Sequence, residues 1–266
     1  MTDTPASMTY GQYLGLDHLL SAQHPISDHH DELLFVIMHQ TKELWLKQII
    51  HELRLSSRMI REDGLIEVHK SLSRVTRILA VMTLSWEVLS TLTPTDYTSF
   101  RHVLGSSSGF QSAQFRQVEY MLGLKDAAHL SSHVEGSADH GALDAALRAP
   151  GLWDDANAAL ARAGFAIPDE SLDRDWSETY LPSEAVEDAW AQVYRDPRLH
   201  WPLYQLAEKL VDIDDAMATW RHKHVITVER IIGLKRGTGG TAGVRYLQST
   251  LAKRAFPELW SLRTKV

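Results

Sequence analysis

Apolar residues recur at helical spacing over most of this chain. Residues 28–61 contain neither proline nor glycine, and residues 65–92 repeat the pattern after the break at Asp63 and Gly64. In the first stretch the apolar positions follow one another at steps of four or seven residues: Leu34, Met38, Trp45, Ile49 and Leu53. This spacing predicts two long amphipathic helices, and the short link between them predicts an antiparallel pair.

The rest of the pattern predicts shorter helices and one more long helix. The expected order is a helix over residues 96–104, a serine loop over 105–109, a helix over 110–122 ending at Gly123, a long helix from Pro202 to Gly233, a glycine loop over 235–243 and a closing helix from Val244. No strand-like alternation of useful length occurs. The predicted class is therefore all-α, a helical bundle of long antiparallel helices with short accessory helices.

Composition changes between residues 126 and 164, where Ala, Ser, His and Asp dominate. This bias predicts short surface helices that pack on the main body outside its core, and the wider segment 126–197 is interpreted as an accessory insert. A chain of 266 residues with 44% hydrophobic residues is long and apolar enough to bury a substantial core. We expect a single all-α domain over residues 1–266.

Charge and cysteine content narrow the possible functions. The formal charge of −7 offers no basic field for nucleic acid, and the basic pair Lys235 and Arg236 is too short to reverse it. The absence of cysteine excludes disulfides, thiolate metal sites and a cysteine nucleophile. Residues 33–38 form the longest apolar run, far short of a membrane helix, and the N-terminus does not resemble a secretion signal. A cytoplasmic setting is compatible with these features.

Two residue pairs lie one helical turn apart and so share a helix face. Tyr97 and Arg101 would point a phenol and a guanidinium the same way, which suits a bidentate grip on a carboxylate. Phe35 and His39 would stack a flat ring on an imidazole. The alternative for the first pair is a solvated arginine beside a core tyrosine. The alternative for the second is a buried, hydrogen-bonded core histidine.

Several segments look like metal or phosphate sites but lack residues or geometry that such sites need. No glutamate has a histidine three residues later, so the carboxylate-bridged di-iron pattern is absent. The acidic and histidine-rich cluster at residues 28–32 lies at a helix start and is interpreted as a capped, solvated turn. The glycine loop at 235–243 lacks the residues of a phosphate-binding loop. His224 and His222 point about 200° apart around a helix, so both cannot bind one metal.

Four blocks of the sequence, in order, resemble the tryptophan 2,3-dioxygenase family. They cover residues 9–23 (TYGQYLGLDHLLSAQ), 29–53 (with LLFVIMHQTKELWLKQII), 96–116 (with YTSFRHVLGSSSGF) and 219–248 (with RHKHVITVERIIGLKRGTGGTAG), and FPELWSLR follows at 256–263. The resemblance implies a haem enzyme that inserts both atoms of O2 across the indole C2–C3 bond of L-tryptophan. The product would be N-formylkynurenine, the first step of tryptophan catabolism by the kynurenine route.

The resemblance also implies roles for individual residues. His224 would be the protein ligand to the iron of haem b, one haem per subunit, with Trp86 beside the cofactor and His222 on the surface. Phe35 would lie against the indole and His39 would accept the indole N–H, positioning the substrate as the catalytic histidine rather than abstracting a proton. The residues expected around the substrate head group are Tyr97, Arg101, Ser108, Gly109 and Thr238.

The N-terminal segment, residues 1–22, carries Tyr10, Tyr13 and Leu14 on one face of a short helix. By resemblance, this face would complete the active site of a neighbouring subunit in a homotetramer, with no nucleic-acid or membrane partner. The bland alternative is that the segment packs on its own bundle. Two functional alternatives also stay open: a haem-based gas or redox sensor on the same scaffold, which would need His224 but not Arg101 or Thr238, and a helical scaffold without a cofactor.

Overall fold

Helices form all the regular structure in residues 8–240 and 242–266, the part of the chain that the computed structural model describes, and no strand occurs there. The predicted all-α class is confirmed. Residues 1–7 of the N-terminal segment and Thr241 of the glycine loop lie outside the described residues. The α-helices in chain order are α1 Tyr10–Leu14, α2 Leu16–Leu20, α3 His30–Arg61, α4 Val68–Leu89, α5 Pro94–Arg101, α6 Ala113–Leu122, α7 Ala138–Arg148, α8 Leu152–Arg162, α9 Asp169–Leu172, α10 Glu184–Arg195, α11 Trp201–Ile232, α12 Val244–Ser249 and α13 Pro257–Ser261.

The turn that precedes α3 is held by the carboxylate of Glu32. Glu32 accepts hydrogen bonds from the backbone N–H groups of Ile26 and Ser27 at 2.7 and 2.8 Å, which closes the turn before the helix. The predicted helix start at residues 28–32 is confirmed, because α3 begins at His30, but His29 at the N-cap position makes no side-chain hydrogen bond to the helix, so the predicted cap is not seen. The prediction that this turn is solvated is wrong for Glu32, which is buried because its oxygens satisfy those N–H groups inside the turn.

Helices α3 and α4 form the predicted antiparallel pair. The Ser56 and Ser71 hydroxyl oxygens lie 2.8 Å apart near the link, and one turn further away Glu52 pairs with Arg74 at 2.6 Å. From the first contact to the second, the residue number falls on α3 and rises on α4, as antiparallel helices require. Between these contacts lie apolar side chains that are almost fully buried, including Leu53 and Leu72.

Helix α11 runs parallel to α4 and so antiparallel to α3. The Trp86 ring near the end of α4 stacks on the His224 ring near the end of α11, at a centroid distance of 4.4 Å. At the beginning of the same two helices, the Lys209 charge acts on His69. The chain returns through residues 94–200 before α11 begins, so the third long helix re-enters the bundle from the same end as α4.

The expectation that residues 126–164 stay outside the core is wrong for α8. Its apolar side chains recur at helical spacing and are at most 2% exposed: Leu152, Trp153, Ala156, Ala159 and Leu160. They belong to the same buried cluster as α3, α4 and α11, and the Trp190 ring of α10 stacks on Trp153 at 5.6 Å. The Ala and Asp content of the segment concealed this stripe, since small residues let α8 approach α3 closely.

Short helices carry the two remaining segments of functional interest. The predicted helix over 96–104 begins two residues earlier, at Pro94, because Thr93 and Asp96 form a capping box, and it continues as a 3₁₀ turn over His102–Leu104. The serine loop then ends in a second 3₁₀ turn, Gly109–Gln111. Within the described residues no single helix is long and apolar enough to cross a membrane, and only the pair Val68–Leu89 and Pro94–Leu104, bent by 91°, has the length and composition together.

Candidate active site

The Phe35 and His39 side chains lie together on one face of α3, as their spacing predicts. Their ring centroids are 4.3 Å apart and the rings are tilted by 40°. The Phe35 ring also contacts Tyr97 at 5.9 Å and the edge of Phe100 at 5.7 Å, so α5 closes the other side of this aromatic cluster. The result is a flat apolar wall that ends at an imidazole.

Backbone contact fixes the tautomer of His39. Its Nδ1 lies 2.7 Å from the Phe35 carbonyl oxygen, which can only accept a hydrogen bond, so Nδ1 carries the proton. Burial lowers the pKa of His39 to about 4, and the nearby Lys42 charge adds to this effect. The imidazole is therefore neutral near pH 7, and its Nε2 presents a lone pair that accepts a hydrogen bond.

His224 of α11 lies among indole rings. It stacks on Trp86 with an interplanar angle of 10° and contacts Trp220 at a centroid distance of 5.2 Å. Burial lowers the pKa of His224 to about 3, with smaller contributions from the charges of Lys42 and His39. The ring is thus neutral, the form in which imidazole binds a metal. His222 is exposed, as predicted.

Lys42 is a member of the site that the sequence analysis missed. It follows His39 by three residues on α3, is 6% exposed, and holds its Nζ 2.7 Å from the centroid of the Trp86 ring. Burial lowers its pKa to about 6. The available signal was a lysine on the apolar face of a helix, where a solvated lysine does not belong.

Tyr97 and Arg101 share one face of α5. Tyr97 is buried, which raises the pKa of its phenol, and the Arg101 charge acts in the opposite direction. The Arg101 guanidinium donates a hydrogen bond to the backbone carbonyl of Arg236, in the glycine loop. The structure therefore brings the arginine to the boundary between the aromatic cluster and that loop.

The glycine loop packs directly on the serine loop. Thr238 donates its hydroxyl hydrogen bond to the Ser107 carbonyl, 131 residues away in sequence. A Cβ at position 239 would lie 2.7 Å from the Ser108 Cβ, a separation that only glycine avoids. Ser108 caps the 3₁₀ turn that starts at Gly109, since its hydroxyl accepts from the Phe110 N–H. The structure thus brings Ser108, Gly109 and Thr238 together.

Comparison with known proteins decides the family. The sequence model of the family described as tryptophan 2,3-dioxygenase matches residues 2–266. The chain is 61% identical over 259 residues to a tryptophan 2,3-dioxygenase of Caulobacter vibrioides, covering 97% of this chain and 98% of that protein. It is 50% identical over 262 residues to one of Ralstonia pickettii, covering 98% and 94%. The chain belongs to the tryptophan 2,3-dioxygenase family. The predicted family and enzyme class are confirmed, and no observation favours the sensor alternative.

The tryptophan 2,3-dioxygenase family is haem-dependent, and the residues around His224 fit such a cofactor. Three nitrogen atoms there are buried and have no hydrogen-bond partner within the described chain: Lys42 Nζ, Trp86 Nε1 and Trp220 Nε1. Orphaned buried polar atoms usually mark a missing partner. A neutral imidazole flanked by flat apolar rings, in a chain without cysteine, matches a histidine-ligated porphyrin. Among the described residues no cluster of three or more His, Cys, Asp or Glu offers a competing metal site.

The residues predicted on α1 are exposed in this structure and do not pack on the bundle. Tyr10 and Tyr13 of α1 are 75% and 76% exposed, and Leu14 is 43% exposed. No residue of α1 is buried, so the bland alternative, in which the aromatic face packs on its own bundle, does not describe this fold. The link to α3 is ordered by Gln40, which donates to the Ala22 carbonyl at 2.9 Å.

Proposed function

We propose that this chain is a haem-dependent dioxygenase that adds both atoms of O2 across the indole C2–C3 bond of L-tryptophan to give N-formylkynurenine. The observation that carries the proposal is a pair of half-buried, neutral histidines, His39 and His224, on two helices of one core. They lie close enough for charge on one to lower the pKa of the other. Membership of the family supports the same reaction.

His224 would hold the iron of haem b, one haem per subunit. When bound, ferrous haem supplies O2 activation. The chain's own contribution on this side is positional. Trp86, stacked on the imidazole, restricts rotation of the ring, and the buried indoles exclude water. Because both oxygen atoms enter the product, the reaction consumes no net electrons, and the chain needs no reductase domain.

His39 and Phe35 would orient the substrate indole. The lone pair on Nε2 of His39 faces away from the Phe35 carbonyl and is suited to accept the indole N–H. The Phe35 ring would lie along the indole face, and offset aromatic contacts of this kind stabilise by about 1 kcal/mol beyond the buried area. An indole N–H is too weak an acid for a base whose pKa lies near 4, so His39 positions the substrate.

Arg101 would bind the substrate carboxylate through two parallel hydrogen bonds. In this structure the guanidinium donates to the Arg236 carbonyl, which is a single neutral acceptor. The substrate carboxylate would take the place of that carbonyl and is a stronger, charged acceptor. Tyr97 borders the same space. Ser108, Gly109 and Thr238 would hold the head group where the two loops meet. Closing the glycine loop over this group would separate it from solvent.

The exposed face of α1 supports a homotetramer in which Tyr10, Tyr13 and Leu14 complete a neighbour's substrate site. An isolated five-residue helix is marginal, so its aromatic face needs a partner surface. We propose in addition that residues 1–266 form a single domain acting in the cytoplasm, with residues 126–197 supporting the core, and that neither nucleic acid nor a membrane is a partner.

The reaction is tested by adding L-tryptophan to haem-loaded ferrous protein without oxygen. The proposal predicts a shift in the haem absorption spectrum on tryptophan addition, followed by N-formylkynurenine when O2 is admitted. A haem spectrum that responds to gases but not to tryptophan would instead support the sensor. A purified protein that takes up no haem would leave only the scaffold alternative.

The trans role of the N-terminus is tested by complementation. A chain truncated before Ala22 and a full-length Arg101→Ala chain should each be inactive alone. Mixed oligomers should regain part of the activity, since some sites then combine an intact Arg101 with a donated α1. Mixed assembly without any recovery would contradict the proposed role of Tyr10, Tyr13 and Leu14.

A further inference from the structure

Lys42 is the feature of the core that the proposed reaction does not use. Its Nζ has no hydrogen-bond partner among the described residues, although it is buried. Lysine side chains near an apolar surface normally extend the ammonium group to water. Here the whole side chain, including Nζ, is directed inward over the Trp86 ring.

The acidic side chains on the neighbouring turns are all paired elsewhere. The Glu43 carboxylate accepts hydrogen bonds from Ser112 at 2.6 Å and from Gln114 at 2.8 Å. Glu87 forms an ion pair with Lys223 on the outer side of α4 and α11. No carboxylate in residues 8–240 or 242–266 lies within salt-bridge distance of Lys42.

Burying a lysine without a counter-ion is strongly unfavourable, whereas a charge-assisted hydrogen bond to a carboxylate offsets much of the desolvation. The ring contact with Trp86 compensates only in part, since a cation over an aromatic face is held more weakly than one paired with a carboxylate. An anion from outside the described chain would offset this desolvation and keep the amine in the charged form that burial alone opposes. That anion must come within reach of Lys42 Nζ, whose neighbours in the described chain include the Trp86 ring and His224.

We propose that Lys42 is a haem-binding residue whose Nζ pairs with a carboxylate of the cofactor. This inference rests on the proposed function, because the porphyrin is what would bring carboxylates to this part of the core. The substrate also carries a carboxylate, but we assign that carboxylate to Arg101 of α5, which lies where the two loops meet. Lys42 lies instead one turn beyond His39 on α3, away from Phe35 and beside Trp86 and His224.

The rate of haem release tests the pairing without any assay of activity. Wild-type protein, Lys42→Met and Lys42→Arg are loaded with haem, and transfer to an excess of an apoglobin acceptor is followed. A methionine fits the apolar surroundings, so Lys42→Met is expected to fold. It should release haem roughly tenfold faster or more, as expected for loss of a hydrogen bond to a charged group. Lys42→Arg should stay close to wild type.

Haem dimethyl ester separates the carboxylate from simple packing. With this cofactor, which has no free carboxylate, the wild-type and Lys42→Met proteins should release at rates within about twofold of each other. Lys47→Met is the matched control, because Lys47 is exposed on the same helix and should behave as wild type with both cofactors. A propionate vibration that shifts only in the Lys42 variants would support the pairing independently.

Four outcomes would overturn the inference. Equal acceleration with haem and with its ester would make Lys42 a packing residue. Unchanged haem release with weakened L-tryptophan binding in Lys42→Met would assign the amine to the substrate carboxylate. Wild-type protein without a haem absorption band would overturn the proposed function together with this inference, whereas normal haem binding with no effect of Lys42 would overturn the inference alone.

Discussion

The two sides of the candidate site are built in different ways. The cofactor side uses two long helices, with the buried Trp86 ring of α4 stacked on the half-buried His224 ring of α11. The head-group side uses two loops, joined by the Thr238 hydroxyl on the Ser107 carbonyl and by Arg101 on the Arg236 carbonyl. Packed helices hold a geometry in advance, whereas loops joined by a few polar contacts can open and reclose.

This difference predicts which changes remove the cofactor and which weaken the substrate. The helical side is expected to determine whether haem is present and how it is ligated. The loop side is expected to determine how tightly the amino-acid head group is held. Substitutions on one side should leave the other measurement largely unchanged, and the following predictions test that separation.

The largest effect is expected for His224→Ala. Loss of the only proposed protein ligand should strip the haem or leave it bound only with an added external ligand. The absorption spectrum of purified protein reports this directly. His222→Ala is the matched control, since His222 is exposed two residues away and should keep the wild-type spectrum. An unchanged haem spectrum in His224→Ala would remove that residue from the cofactor side.

Arg101→Ala should act on the substrate while leaving haem in place. Removing one partner of a desolvated charge pair costs about 2–5 kcal/mol, which is roughly 30-fold to several-thousand-fold in affinity. Binding of L-tryptophan should fall by this amount, and binding of tryptamine, which has no carboxylate, should fall much less. His102→Ala, at the exposed neighbouring position, serves as the control. Equal losses for both ligands would show that Arg101 is structural.

Gly239→Ala tests the contact between the loops. The new Cβ would meet Ser108 at 2.7 Å, so the glycine loop must move away from the serine loop. We expect roughly tenfold weaker tryptophan binding, which corresponds to the loss of about one hydrogen bond to a charged group. We also expect faster proteolysis within residues 233–240. Gly109→Ala has open space around its Cβ and should keep the protease resistance of wild type. Unchanged proteolysis in Gly239→Ala would mean that the loops are not held by this contact.

His39 should show the smallest effect, because it positions rather than reacts. His39→Ala should keep measurable activity with tryptophan, and with 1-methyltryptophan activity should rise as the clash at the indole nitrogen is relieved. Complete inactivity with intact haem and normal substrate binding would refute the positioning role.

The pH dependence of tryptophan binding follows from the same residue. Since burial lowers the pKa of His39 to about 4, Nε2 stays a free acceptor down to that range. Binding should show no titration near the usual histidine pKa and should weaken only as the pH approaches 4. In the unfolded chain His39 takes up a proton at a higher pH than in the folded chain. The free energy of unfolding should therefore fall as the pH drops below the ordinary pKa of histidine. A binding transition near pH 6.5 that disappears in His39→Ala would contradict this assignment.

Sequence spacing predicted the helix-borne pairs well and the long-range contacts poorly. Phe35 with His39 and Tyr97 with Arg101 are one turn apart, so a local rule places each pair on one face. Lys42 obeys the same rule, but its inward direction depends on α4, which no local pattern reports. The core position of α8 was missed for a related reason, since average composition hides a narrow apolar stripe. The contact of Thr238 with Ser107 joins residues 131 positions apart and depends on closure of the whole bundle.

The most direct test of the central claim is a reaction of haem-loaded protein with L-tryptophan under isotopically heavy oxygen gas. Mass spectrometry of N-formylkynurenine should show that both added oxygen atoms come from the gas, and His224→Ala should form no such product. A product that carries one heavy oxygen atom, with the second from water, would contradict dioxygenation at this site. So would full labelling by a His224→Ala protein that contains no haem.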